Sequence, residues 1–213
     1  MRSFVFTLGF HEDFILRRLT SKAAQPGEPI LVFTAKPAAG AVVRAFTSLQ
    51  SFCSRVNLSE PELVELDISD EARALVEVKS RVELLPTPII VDLSGGMRVL
   101  VVLTLLALMA SRREFELYVV PETGMGGEFH MPRGVTRALS GLSREKLAIL
   151  SEIARRPGVS AELIARRLGR SLKTIRNHLW ELKRMGLVVS RGRGAPLRLS
   201  RWGEALALVE NSR

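Results

Sequence analysis

Apolar and polar positions alternate between two periods along the first 120 residues. Residues 3–8, 30–34, 62–66, 89–93 and 115–120 are short β-rich runs. The fourth is apolar but for Asp92, the pattern of a strand buried on both faces. Between the runs the spacing becomes helical. Phe14, Leu16 and Leu19 mark a first helix, and Val42, Phe46, Leu49 and Cys53 recur at four, three and four residues in a second. Ala72, Leu75, Val76 and Lys79 share one side of a more polar third helix. Residues 96–111 form a fourth, apolar enough to be expected as a buried core helix. Five strands alternating with helices over short loops predict an α/β fold, a doubly wound and mostly parallel sheet with helices on both faces. Such a sheet binds ligands beyond the carboxyl ends of its strands. The loops after Leu8, Thr34, Leu93 and Val120 are therefore the places to look.

The rhythm breaks at residues 121–141, which hold Gly124, Gly126, Gly127, Pro132, Gly134 and Gly141. Residues 128–131 fit an edge strand. The remainder reads as a hinge, with domain boundaries expected at 1–122 and 142–213 around a linker at 123–141. Beyond it the pattern is helical and compact. Ser143, Ser160 and Ser171 are N-cap residues of three successive helices. Leu147, Leu150 and Ile153 line the first, Leu163, Ile164 and Leu168 the second, and Ile175, Leu179 and Leu182 the third. Gly169 makes the turn between the second and third, and Gly186 ends the third. Residues 187–190 and 197–200 fit two strands, and 202–210 a closing helix.

Charge sharpens the division. Residues 1–134 carry 14 Lys and Arg against 16 Asp and Glu, whereas residues 135–213 carry 17 against 6. A net of −2 thus precedes a net of +11, the mark of a back domain that faces a polyanion. Cys53 is the single cysteine, so a disulfide framework within the chain is excluded. The longest apolar run, residues 99–110, is too short to span a bilayer, and no signal peptide is visible. A soluble, cytoplasmic protein without membrane partners is expected.

The chemistry follows the division. Two helices joined by a turn of about four residues and followed by a β-hairpin make a winged helix-turn-helix. Ser171, Lys173, Thr174, Arg176 and Asn177 place donors on the third helix, where they suit phosphates and base edges of double-stranded DNA. Arg191 and Arg193 sit at the tip of the wing. In the front domain two loops stand out. Thr7, Leu8, Gly9 and Phe10 follow the first strand, and Ser94, Gly95, Gly96, Met97 and Arg98 follow the fourth. Paired glycines let a backbone approach a ligand closely, and a helix N-terminus favours an anion. A Gly95→Val exchange is expected to block the ligand while leaving the fold largely intact.

Several enzyme classes fail on chemistry. The first loop has one glycine where a dinucleotide-binding strand needs G-x-G-x-x-G. No phosphate-binding Gly/Lys/Ser loop occurs. His11, His130 and His178 lack metal-ligand spacing, and no nucleophile–base–acid set is readable.

Together, the strand-ending D-L-S-G-G-M-R, the first loop T-L-G-F-x-x-D and the C-terminal winged helix resemble the CRISPR-associated Rossmann-fold (CARF) transcriptional regulators of the archaeal two-domain type. The resemblance spans nearly the whole chain. It implies a homodimer whose front domains sense cyclic tetra-adenylate through Thr7 to Phe10 and Ser94 to Arg98. It also implies winged helices bound at promoters of CRISPR-associated genes, with no cofactor and no enzymatic activity. The alternative it carries is a ring nuclease, since some CARF domains cleave their own cyclic oligoadenylate.

Overall fold

The computed structural model describes residues 1–121, 127–139, 141–190, 192 and 195–211, the side chains of the last three excepted. Its contacts divide the chain into two units, Met1–Met131 and Pro132–Arg213.

The first unit runs β1 (Ser3–Thr7), α1 (Asp13–Ser21), β2 (Ile30–Ala35), α2 (Gly40–Arg55), β3 (Glu62–Leu66), α3 (Glu71–Glu83), β4 (Ile89–Asp92), α4 (Arg98–Ala110), β5 (Phe115–Val119) and β6 (Phe129–Met131). The strands form one sheet in the order β3-β2-β1-β4-β5-β6. The first five are parallel, and β6 closes the edge antiparallel to β5. This is the Rossmann-like order, with the chain reversing direction across the sheet between β1 and β4. Phe4, Phe6, Ile30, Val32 and Ile90 meet Ile15 and Leu19 of α1 and Val42, Leu49 and Cys53 of α2 in one core. Helices α3 and α4 pack together over the opposite face.

Three helix faces differ from the apolar spacing. Helix α1 buries Ile15, Arg18 and Leu19 rather than Phe14, Leu16 and Leu19. An arginine is turned inward because the sheet beneath it supplies a buried carboxylate, Asp92. Helix α3 buries Ala74, Val78 and Val82, not the side bearing Ala72, Leu75, Val76 and Lys79. Helix α4 begins at Arg98 and is a core helix on one side only. Leu100, Leu103, Thr104, Ala107 and Leu108 are buried, while Val99, Val102 and Leu106 are exposed. In an unbroken apolar run the period that separates inside from outside is invisible.

Residues 123–141, read above as a linker, hold regular structure among their described residues. Phe129–Met131 pairs with β5, and helix α5 (Arg133–Leu139) belongs to the second unit. Pairing to the sheet edge satisfies backbone groups that a free linker would leave to water.

The second unit continues through α6 (Arg144–Arg155), α7 (Ala161–Leu168), α8 (Leu172–Arg184), β7 (Val188–Val189), β8 (Arg198–Leu199) and α9 (Arg201–Asn211). Ser143, Ser160 and Ser171 each accept a backbone N–H from the residue three places on, capping α6, α7 and α8. Gly169 ends α7 in the left-handed conformation, at φ +61°, where a side chain is strained. Ile164 and Ala165 of α7 and Ile175, Leu179 and Leu182 of α8 meet Ile149, Leu150 and Ile153 of α6 to form the core of a winged helix-turn-helix.

Candidate ligand cleft and nucleic-acid interface

Strands β1 and β4 are neighbours, but their crossovers leave to opposite faces of the sheet. A crevice opens at their carboxyl ends for that reason. The loops that follow them pack backbone against backbone. Thr7 Oγ1 donates to the Gly95 carbonyl at 2.6 Å. A Cβ on Gly95 would come within 2.8 Å of the Thr7 carbonyl oxygen, and one on Gly9 within 2.9 Å of the Gly96 nitrogen. Gly96 has φ +90°. These glycines therefore let two loops touch each other. The expectation for Gly95→Val is corrected accordingly: valine there collides with β1 and deforms the loop pair itself.

Ser94 is fully engaged. Its backbone N–H donates to Asp92 Oδ1 at 3.0 Å and its hydroxyl donates to the same oxygen, while Oγ accepts the Val120 N–H at 2.8 Å. Asp92 is 2% exposed. Its other oxygen accepts Arg18 Nε at 2.8 Å. The Arg18 guanidinium lies 3.7 Å from the Tyr118 ring centre and also donates to Glu128. Tyr118 stacks on His130 at 4.6 Å between centroids and donates to Glu116, which also contacts His130 at 2.7 Å. Burial pushes the Tyr118 phenol well up, and the Glu116 carboxylate pushes it further, so it remains a donor. Burial works to raise Glu116 as well. The hydrogen bonds from Tyr118 and His130 and the charge of Lys22 nonetheless hold its carboxyl below the ordinary range. The site loop thus stands on an ionic and aromatic base whose centre, Arg18, Asp92 and Tyr118, is buried.

Above that base lies a cleft of roughly 430 Å³. Of the expected ligand residues, Leu8, Gly9, Phe10, Ser94, Gly95, Gly96 and Met97 line it. Thr7 sits beneath as a brace. Arg98 is exposed at the start of α4 and is not among the lining residues. His11 and Phe14 around the start of α1, Thr34 and Ala35 at the end of β2, Pro37 and Ala39 in the loop after it, Val42 of α2 and Leu100 of α4 complete the wall. His11 falls within the T-L-G-F-x-x-D loop that the sequence singles out; residue spacing missed the others. The only signal for the β2 side was that its loop had to end at the same sheet edge.

The helices at this edge are unusual in one respect. Helix α2 begins after Ala39 and α4 after Met97, neither with a side-chain cap nor with an acidic residue in the first turn. Both cap positions line the cleft. Helix α3, whose start does not line the cleft, is capped by Asp70. Uncapped N–H groups and the positive ends of two helix dipoles therefore face the cleft, an arrangement that favours an anion.

In the second unit Lys173, Arg176 and Asn177 are exposed on α8. Ser171 is committed to its cap, accepting Thr174 N–H at 3.1 Å, and the Ser171 and Thr174 hydroxyls lie 2.8 Å apart. Ser171→Ala should therefore cost about 1 kcal/mol of stability, seen as a lower melting temperature, before any effect on binding. Arg176 pairs with Glu162 of α7 at 3.0 Å. Arg191 and Arg193 lie outside the described residues. Residue spacing also passed over two exposed side chains of α8, Trp180 and Arg184, because no donor motif marks them.

Among the described residues no cluster of His, Cys, Asp and Glu suits a metal ion, and no helix is long and apolar enough to cross a membrane. The model of the Csa3 CRISPR-associated Rossmann-like domain matches residues 2–132, and a winged helix-turn-helix DNA-binding model matches residues 143–189. The chain belongs to the Csa3 family. A Csa3 protein of Saccharolobus solfataricus, whose name records a candidate DNA-binding role at a CRISPR locus, is 32% identical over 95% of this chain and 86% of its own length. The Csa3 of Thermoproteus tenax is 35% identical over 48% of each chain. Among solved structures, Can2 of Sulfobacillus thermosulfidooxidans in complex with cyclic tetra-adenylate overlaps 97% of this chain and 64% of its own, with 10% identity and a TM-score of 0.42. The Csa3 family therefore accounts for both units, in the order in which the sequence presents them.

Proposed function

We propose that the chain is a ligand-responsive, DNA-binding transcriptional regulator of CRISPR-associated genes, acting as a cytoplasmic homodimer. The front unit senses a cyclic oligoadenylate, cyclic tetra-adenylate, and the back unit binds promoter DNA. One observation carries the ligand half. The cleft at the switch point is bordered by two uncapped helix N-termini and walled by Phe10, Phe14, Pro37 and Met97. Phosphates suit the first feature and adenine rings the second.

The outward face of α4 supplies the dimer. Val99, Val102 and Leu106 recur at three and four residues, and α4 starts from the Gly95–Gly96 loop. A two-fold axis through this face places two copies of the loop around one centre. A cyclic tetranucleotide, with four phosphates and its own two-fold symmetry, matches such a paired site.

Calorimetry of the full chain with cyclic tetra-adenylate tests the reading. One ring per two chains is expected, with linear tetra-adenylate much weaker; absence of heat with the ring overturns the ligand half. Ring and DNA must then alter each other's affinity by the same factor, typically roughly 5–150-fold. One finding favours the ring nuclease as a second reading: His11, an acid–base group, lines the cleft. Linear products in the same incubation, lost in His11→Ala, would establish it.

A further inference from the structure

On the outer side of α8 the exposed residues fall into one stripe. Lys173, Asn177, Trp180 and Arg184 recur at four, three and four residues, opposite buried Ile175, Leu179 and Leu182. Three of the four are polar or cationic. The fourth, Trp180, is 59% exposed. A single exposed apolar residue needs no explanation on an arbitrary surface. This one stands in the middle of a stripe of hydrogen-bond donors, and its ring is held. The Arg184 guanidinium lies 4.7 Å from the indole centre. Arg176 and Lys183 line the hollow beside it. A cation–π contact of this kind fixes the ring while leaving an edge free.

We propose that Trp180 is a specificity-determining residue that packs its indole against the 5-methyl group of a thymine in the major groove, a step that rests on the DNA-binding reading above. The charge of the stripe selects the occupant. Residues 135–213 carry a net charge of +11, so a second copy of this unit would set cations against cations, whereas a duplex supplies phosphates on both sides of a groove that admits a helix. Lys173 and Asn177 enter with the N-terminal half of α8 and supply donors to base edges. Trp180, two turns in, has one indole N–H and an otherwise apolar rim. Thymine is the base that offers an apolar group in that groove. Arg184 serves as a positioning residue, keeping the ring edge-on.

The test uses the full chain and duplexes enriched by the parent protein from a random-sequence pool. Trp180→Ala should bind the enriched duplexes about tenfold more weakly at fixed salt, and its own enriched pool should lose one thymine preference. Trp180→Phe should recover part of the affinity. Replacing that thymine by uracil, which deletes only the methyl group, should weaken the parent about fourfold, as expected for roughly 0.8 kcal/mol per buried carbon. It should not weaken Trp180→Ala further. A Trp180→Ala protein of unchanged affinity overturns the proposal. So does a weakened one whose parent is indifferent to uracil, since the contact is then to the backbone. If the parent enriches no duplex, the DNA-binding reading itself falls and this proposal with it.

Discussion

Arg18→Met should lower the stability of the front unit by about 3–5 kcal/mol, the range seen when one partner of a buried ion pair is removed. The side chain is 8% exposed, and it bridges Asp92, itself 2% exposed, to Glu128. Methionine keeps the length of the stem over Tyr118 but leaves the Asp92 carboxylate without its cation. For a chain of this size the loss corresponds to a fall of roughly 6–20 °C in melting temperature. Adding Asp92→Asn should restore much of it. An amide oxygen still accepts the Ser94 N–H, and the one carboxylate left without its cation, Glu128, is reached by water. Thermal and urea unfolding of the two single variants and the double variant measures this. Additive losses would mean that Arg18 and Asp92 are not coupled. A melting temperature within a few degrees of the parent in Arg18→Met would mean that the buried pair does not hold the site loop.

This network was not legible in the sequence, although the sheet around it was. Alternating periods marked all five parallel strands to within a residue or two at their ends, because each strand is short, apolar and bounded by turn residues. The third strand read as residues 62–66 and is Glu62–Leu66. Arg18 is of a residue type that reads as exposed, and its partner Asp92 is 74 residues away. Only the closed sheet brings the two together. Ser94 reads as a ligand residue because a serine beside two glycines at a strand end is free to donate. The fold adds Val120 N–H and Asp92 as partners, and these occupy it. On α8 the donors were legible since residue type carries their chemistry. Trp180 was not, since an aromatic residue carries no donor motif, although the register of Ile175, Leu179 and Leu182 already turns it outward.

The largest effect on function should come from the face of α4 that uniform apolarity concealed. Val102 and Leu106 are 54% and 51% exposed, so glutamate at both positions should cost the isolated fold little, typically within about 0.5 kcal/mol for each surface change. In the dimer proposed above, a two-fold axis through the face sets each side chain near its own copy. Four carboxylates would then meet in an interface that had buried four apolar side chains, and like charges in close juxtaposition cost several kcal/mol. Val102→Glu with Leu106→Glu should therefore give a folded monomer at micromolar concentration by light scattering, where the parent is a dimer. Cyclic tetra-adenylate affinity should collapse, because each chain would retain only half of the proposed paired site. DNA affinity should fall by about 10²–10⁴, the avidity lost when two linked half-site contacts become one. The dependence on salt should flatten too, by roughly 0.9 in slope for each phosphate contact surrendered. A variant that remains dimeric places the interface on another face. A parent that is itself monomeric at these concentrations removes the dimer, and with it the paired site for a two-fold ligand.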